Sequence, residues 1–550
     1  MTANPLDDPF YYLNNFTQVL DWLEHRYADV LSEDEQRFIR AFNHLPQASK
    51  ALLVRLVMRK GVHFRASKLH YLEIGDIHLA ADPLTALGWI DDQCPLSLDE
   101  LFEVLLKAEI VQCFGAAIEQ PKGKKADWLP LLSEQFPMAQ CFVDWCRPLE
   151  DRLFSLTIMG LCDRLRLMFF GNLYQDWSEF VLADLGIFTY EKVEFCAESR
   201  GLRSREDVDA CLFLYQCQER FETGEALGDI LDNINGLTLT NPWLQRRRGK
   251  LLFQMGQHCE RTADFATALT IYRDCAYPGA RVRLIRVLER CAEYSLALEL
   301  AVQAERCPES AAEQQQLLRM LPRLRRKLGG PALKRPSPRA LQRLDLQLPR
   351  IDPTLSVEYY VQAHLAQDSA PVHYVENSLI NSLFGLLCWP AIFAPLPGAF
   401  FHPFQRGPVD LLNEDFHLRR ADLFESCLAE LDDGRYVQTV RERYVSKWGI
   451  QSPFVFWGAL SEDLLNQALD CLPAQHLKQW FNRLLVDIKA NRAGMPDLIQ
   501  FWPQDKTYRM IEVKGPGDRL QDNQLRWLEF CHEHQMPIAV CYVQWAEQSA

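Results

Sequence analysis

Residues 495–517 read "MPDLIQFWPQDKTYRMIEVKGPG". Two apolar runs, "LIQFW" and "YRMIEVKG", flank the turn-forming "PQDKT", which predicts two short strands joined by a tight turn. Asp497 opens the first run behind Pro496, and Glu512 and Lys514 close the second. Residues two apart on a strand share a face, so Glu512 and Lys514 point together while Val513 points away into a core. If the strands pair antiparallel through the turn, Asp497 lies opposite Glu512. Two carboxylates and one ammonium then converge.

Carboxylate oxygens are hard ligands that suit Mg²⁺ or Mn²⁺. An ion held by Asp497 and Glu512 can polarise a phosphodiester and lower the pKa of a water. Lys514 can orient that water or stabilise charge growing on the phosphoryl group. The main-chain carbonyl of Val513 lies between them and is a natural extra ligand. This is the PD-(D/E)xK arrangement of many metal-dependent nucleases. On its own the spacing is loose and fits an exposed hairpin with a salt bridge as well.

The flanking pattern is mixed α/β. Apolar spacing predicts a helix over 375–393 with Glu376 at its start, and a second over 475–494 ended by Gly494. "DNQLRWLEFCHEHQ" reads as a helix and "PIAVCYVQW" as a last strand. Residues 371–550 are therefore expected to form one compact α/β domain.

At 550 residues the chain calls for three or four domains. No apolar run reaches bilayer length, and "MTANPLDDPFYYLNN" lacks the basic start and apolar stretch of a signal peptide, which predicts the cytosol. The 17 cysteines form no CxxC pair and sit mostly in apolar runs, as expected of reduced, buried thiols. The net charge of −14 argues against general nucleic-acid binding, but the charge is segregated along the chain.

Residues 1–95 read as a helical or winged module. Ser32 with Glu35 is a capping box, and Gly61 is expected to end the helix that carries Arg55. Arg55, Arg59, Lys60, Arg65 and Lys68 fall in a stretch without an acid, which predicts either a phosphate-contacting patch or a solvated helix face. In a second module, 96–160, Lys122, Lys124 and Lys125 surround Gly123 before a helix beginning near Asp127. That is a weak sign of a phosphate seat, and an exposed lysine loop is the commoner explanation. In 161–370, "ERTADFATAL" at 260–269 and "ERCAEYSLAL" at 289–298 share a frame offset by 29 residues, near the tetratricopeptide period. Residues 219–230 are a weaker third copy. Ala268 and Ala297 would let helices approach closely, and a nonrepetitive bundle is the alternative. Residues 319–350, with ten basic residues and one Asp, read as a connecting segment able to contact a nucleic-acid backbone.

The last domain resembles the VRR-NUC domain of the Fanconi-associated nuclease family. "ENSLINSLFGLLCWPAIF", "GPVDL", "RAGMPDLIQFW" and "IEVKGPGDRLQDNQLRWL" carry the resemblance. It implies a catalytic set of Glu376, Asp497, Glu512 and Lys514, with Glu376 a metal ligand and Asp518, Arg519 and Gln524 supporting the site. Asn523 stands where some relatives carry lysine. The resemblance also implies an N-terminal helical or winged module, a SAP-like module and TPR-like repeats ahead of the nuclease domain. The whole would be a mainly α, multidomain protein of the shorter microbial form, without a ubiquitin-binding zinc finger. It further implies a Mg²⁺- or Mn²⁺-dependent nuclease acting on 5′ flaps and branched double-stranded DNA, by endonuclease and 5′ to 3′ exonuclease cleavage, in repair of interstrand crosslinks. Other repair proteins are expected partners. Its place would be the cytoplasm and nucleoid, or the nucleus in a eukaryote. The rival readings are a Holliday-junction resolvase and an inactive scaffold for repair proteins.

Overall fold

Strand pairing in this chain does not follow sequence order, and that decides where its units begin. The computed structural model describes residues 8–118, 123–175, 177, 188–331 and 342–546. The chain divides into one unit of residues 1–188 and 195–212 and another of 189–194 and 213–550. The mainly helical, multidomain class expected from the sequence is what is observed. No helix among the described residues is long and apolar enough to cross a membrane. None of the 17 cysteines is in a disulfide, and most of them are buried.

In the first unit the capping box forms as predicted. Ser32 Oγ accepts from the Glu35 N–H, and Glu35 Oε2 accepts from the Ser32 N–H at 2.9 Å. Glu35 is also fully buried and holds Arg164 at 2.6 Å and Arg205 at 2.8 Å, so one carboxylate both caps a helix and pins distant segments. Helix Gln47–Val57 stops short of Gly61, which sits at φ +92° in the turn that follows. The expected wing is strand His63–Arg65, and it pairs antiparallel with Leu153–Leu156, which in turn pairs with Ile90–Asp91. Residues 153–156 belong by sequence to the second module but complete the sheet of the first. The intervening segment packs its own core around Leu101, Phe114, Trp128 and Trp145.

In the second unit the repeat region is a run of helices, α1 Pro242–Arg261, α2 Phe265–Asp274, α3 Ala280–Arg290, α4 Tyr294–Arg306 and α5 Ala311–Lys327, each packed on the next. The two matched sequence frames make the same turn. Ala263 at φ +62° and Ala292 at φ +63° sit at equivalent positions between helices, and Ala268 and Ala297 are fully buried where the helices meet. Gly256 makes the closest approach, since a Cβ there would lie 2.6 Å from the Tyr272 ring.

The nuclease-like core is a five-stranded sheet. Its strands are β1 Gln342–Leu348, β2 Val372–Tyr374, β3 Leu498–Trp502, β4 Thr507–Lys514 and β5 Ile538–Trp545, in spatial order β1-β5-β4-β3-β2. β5 runs parallel to β1 and β4, while β3 pairs antiparallel with β2 and β4. Helix α6 Val357–Leu365 covers one face, with Val361 packed on Leu498, Ile511, Val513 and Cys541. The expected start at 371 is therefore too late, because β1 and α6 already belong to this sheet.

The basic segment 319–350 is not a free linker. α5 runs through Lys327 and β1 begins at Gln342, while 332–341 lie outside the described residues. Arg323 pairs with Glu289 at 2.5 Å, Arg343 pairs with Asp345 at 2.8 Å, and Arg319 pairs with Asp522. These cations are committed within the protein.

Candidate active site

The β3–β4 register sets Leu498 against Ile511, which brings Asp497 level with Glu512. Both carboxylates and Lys514 are buried. Asp497 Oδ2 accepts from the Val513 N–H at 2.8 Å, and Glu512 Oε1 accepts from Lys514 Nζ at 2.7 Å. Glu512 Oε2 is buried with no hydrogen-bond partner. An acceptor-only oxygen in that position is costly unless a cation or a proton reaches it.

Glu376 enters from β2. The Asp497 carbonyl accepts from the Val375 N–H at 2.8 Å, which extends the β2–β3 pairing to the residue before Glu376. Helix α7 spans Leu379–Leu387, not 375–393, because Asn377 adopts φ +52° and turns the chain before the helix begins. Glu376 thus lies ahead of the helix and is exposed. Its Oε2 accepts from Tyr374 Oη at 2.5 Å and its Oε1 from Asn377 Nδ2 at 3.2 Å. Asn377 Oδ1 in turn accepts from the Met495 N–H at 3.1 Å, so this turn is tied to the segment leading into Asp497.

Burial raises the Asp497 carboxyl to about 6, and the Glu358 and Glu376 charges add to the rise against the Val513 N–H and Lys514. Burial raises Glu512 to about 7, with Asp497 adding and Lys514 opposing. Glu358 carries no functional signal in the sequence. It sits in the first turn of α6 behind the Ser356 cap, where an acid looks like routine helix capping. Val357, beside it, lies 3.8 Å from where a Gly515 Cβ would stand, which puts the start of α6 at the end of β4.

The donor set fits a divalent cation. Asp497 and Glu512 set hard oxygens beside a single ammonium, the charges of Glu376 and Glu358 act on Asp497, and Glu512 Oε2 is buried without a hydrogen-bond partner. Among the described residues no three acidic, His or Cys side chains are already gathered closely enough to enclose an ion, since Glu376 is engaged by Tyr374 and Asn377.

The expected supporting residues behave differently. Asp518 Oδ2 accepts from the Gly515 N–H at 2.9 Å and shapes the turn after β4. Gln524 caps helix α8 Asp522–Glu533 through the Gln521 N–H at 2.9 Å, and Arg519 is exposed. Neither Asp518 nor Gln524 hydrogen-bonds to the acidic set. Asn523 fills the space beside Gly494, where a Cβ would lie 2.8 Å from it.

The basic patch of the first unit is only partly a free surface, contrary to the expectation from its sequence. Arg65 is buried between Glu109 at 2.5 Å and Asp151 at 2.8 Å, and Arg55 pairs with Glu73 at 2.7 Å over the Tyr12 ring. The stretch is acid-free only in sequence, because its partners come from up to 86 residues away. Both side chains are structural. Arg59, Lys60 and Lys68 are exposed and line one shallow pocket of about 210 Å³. Lys125 Nζ donates to the Leu105 carbonyl at 3.1 Å, and Asp127 already caps the helix N-terminus through the Lys124 N–H at 3.0 Å. The protein's own carboxylate thus occupies the expected phosphate seat. Lys124 is exposed, and Lys122 lies outside the described residues.

This sheet, with an acid and an Asp497/Glu512/Lys514 cluster at the ends of adjacent strands, defines a PD-(D/E)xK-type nuclease. The "VRR-NUC domain" model matches residues 431–545, "FAN1, HTH domain" matches 10–91, and "Fanconi anemia-associated nuclease SAP domain" matches 95–145. The chain is 56% identical to the Fanconi-associated nuclease 1 homolog of Pseudomonas aeruginosa, covering 98% of this chain and 97% of that one. An Arabidopsis thaliana homolog is 24% identical over 97% of this chain and 67% of its own. A crystal structure described as paFAN1 bound to 2nt 5′ flap DNA with gap matches with a TM-score of 0.92 at 56% identity, covering 98% of this chain and 99% of that one. The chain belongs to the Fanconi-associated nuclease family. It is a DNA-cleaving hydrolase that depends on a divalent metal.

Proposed function

We propose that this protein cuts phosphodiester bonds near the junction of 5′ flaps and related branched duplexes, as an endonuclease with 5′ to 3′ exonuclease activity, in the repair of interstrand crosslinks. The observation that carries the chemistry is the buried Asp497–Glu512 pair with Lys514 beside it and Glu512 Oε2 unpartnered. Asp497, Glu512, Glu376, Glu358 and the Val513 carbonyl would hold Mg²⁺ or Mn²⁺. That ion supplies Lewis-acid polarisation of the phosphodiester and acidifies water. The Val513 N–H fixes the Asp497 carboxylate, and Glu512 fixes the Lys514 ammonium. Lys514 then orients the attacking water and faces the charge that builds on the phosphoryl oxygens. Tyr374 and Asn377 steer Glu376 toward the same end of the sheet.

Flap preference is supported by the 5′ flap DNA held by the 56%-identical structural relative. It also has a physical basis, because a branched duplex bends at little elastic cost and separate basic surfaces can grip its arms without reading bases. On a set of labelled substrates, the full-length protein with Mg²⁺ or Mn²⁺ should cut a 5′ flap at least about tenfold faster than a blunt duplex or a four-way junction. Symmetric cutting of the four-way junction at the higher rate would replace this reading with a resolvase.

Arg59, Lys60 and Lys68 are assigned to phosphate contact, with Lys124 beside a helix start. Arg59→Glu with Lys60→Glu should weaken duplex binding and flatten the slope of log affinity against log salt by about 2. A salt titration by fluorescence anisotropy reads both quantities, and an unchanged slope removes this patch from the DNA path.

A further inference from the structure

A polar cleft of about 680 Å³ opens in the repeat region, and none of the acidic-site residues line it. α1 contributes Gln254, Gln257 and Arg261 to its wall, and α3 contributes Arg283, Arg286 and Arg290. Both sets follow the same i, i+3, i+7 spacing, so two parallel rows of long polar side chains face one space. Arg283 is neutralised by Glu260 at 3.3 Å, and that carboxylate also accepts from Tyr272 Oη at 2.7 Å. Arg290 rests on the Phe265 ring, 4.8 Å from its centroid. Arg261 and Arg286 are exposed and make neither a salt bridge nor a hydrogen bond with described residues. Three guanidinium groups therefore remain against one lining carboxylate, Glu222.

That excess converges on one space. Arg281 pairs with Glu313 at 2.6 Å and Arg323 with Glu289 at 2.5 Å, and the other arginines without an ion pair to a described residue, such as Arg273 and Arg306, do not line this cleft. In a chain of net charge −14, converging unpaired guanidinium groups repel one another and mark a place for an external anion. The glutamines narrow the chemistry. Each offers both a donor and an acceptor, which suits the main-chain amides of an extended peptide, whereas their carbonyl oxygens gain nothing from a phosphate backbone. A single-stranded nucleic acid would also need stacking faces. The one aromatic residue in the lining, Phe221, already packs against His258 with ring centroids 5.4 Å apart.

We propose that the cleft between α1 and α3 docks an extended, acidic peptide segment of a partner protein. The guanidinium groups of Arg261, Arg286 and Arg290 pair with its carboxylates, and Gln254 and Gln257 hold its backbone. The site is separate from the nuclease chemistry, so it would bring the enzyme to a partner without altering cleavage.

The probe is a fluorescein-labelled octapeptide of alternating glutamate and alanine, titrated into the full-length protein at low salt. An alternating glutamine–alanine octapeptide and octathymidylate are run alongside. The glutamate peptide should bind saturably, and the glutamine peptide at least about tenfold more weakly. Arg286→Glu with Arg290→Glu should weaken the glutamate peptide by at least about tenfold, while thermal unfolding and 5′-flap cleavage match wild type. If that variant unfolds early, Arg286→Gln with Arg290→Gln reads the same loss at smaller amplitude. Equal binding of the two peptides, or retention of the glutamate peptide by a folded double variant, overturns the proposal. Tighter binding of octathymidylate that the variant abolishes also overturns it and makes the cleft a nucleic-acid groove.

Discussion

Replacing Asp497 with asparagine should lower 5′-flap cleavage by at least about 10³-fold, or about 4 kcal/mol of transition-state stabilisation, with DNA affinity held within about twofold. The choice of asparagine is structural. Asp497 Oδ2 accepts from the Val513 N–H at 2.8 Å, and an alanine would leave that buried donor unpaired at a cost of about 1–3 kcal/mol. Asparagine keeps an acceptor oxygen and the volume while removing the charge that a cation needs. Glu512→Gln tests the other half of the pair by the same logic, since its Oε2 is the buried oxygen without a partner. Lys514→Met should lower kcat by a factor on the order of 10², because it removes the ammonium that faces the phosphoryl charge, while metal binding is retained or tightened, because the cation that competes for Glu512 is gone. Single-turnover cleavage with excess enzyme separates these losses from binding. Wild-type rates in Asp497→Asn would remove the pair from the chemistry.

The second large effect is a link between pH, metal and stability. Folding raises Asp497 to about 6 and Glu512 to about 7, mainly by burial. In the unfolded chain such groups titrate near about 4. The native state therefore holds protons that the unfolded chain has released between those values. The resulting stabilisation is full below about pH 4 and is lost as pH rises through 6 to 7. Above that, two buried charges repel each other and a divalent ion relieves them. At pH 5.5 the ion must first displace both protons. Saturating Mn²⁺ should thus raise the melting temperature of the nuclease-bearing unit by about 5–10 °C at pH 8 and by under about 2 °C at pH 5.5. Glu512→Gln should erase the difference between the two pH values. Calorimetry with and without chelator measures this, and an equal metal effect at both pH values contradicts the assignment of these two carboxyls.

Asp497, Glu512 and Lys514 were legible because a tight turn between two short strands leaves little freedom in register. Their separation along the chain became proximity through local geometry alone. Glu376 was legible only by resemblance, and the left-handed Asn377 that sets it ahead of the helix leaves no trace in apolar periodicity. Glu358 was hidden because an acid after a serine cap is ordinary at a helix start. β1 was hidden inside a basic stretch, since Arg343 and Asp345 on its exposed positions mask a strand whose apolar residues face α6. The buried role of Arg65 is hidden for a related reason. Its carboxylate partners lie 44 and 86 residues away, and a charge count over a local window cannot register them. Likewise, strand Leu153–Leu156 is assigned to the wrong module by any linear division, because sheet pairing brings it back across the intervening segment.

We propose that Asp497 and Glu512 together seat the divalent ion. Titration of Mn²⁺ into the full-length protein at pH 8, followed by the loss of the free-ion electron paramagnetic resonance signal, tests it without cleavage. Saturable binding by wild type that Asp497→Asn with Glu512→Gln abolishes is the predicted result. Undiminished binding by the folded double variant would contradict it.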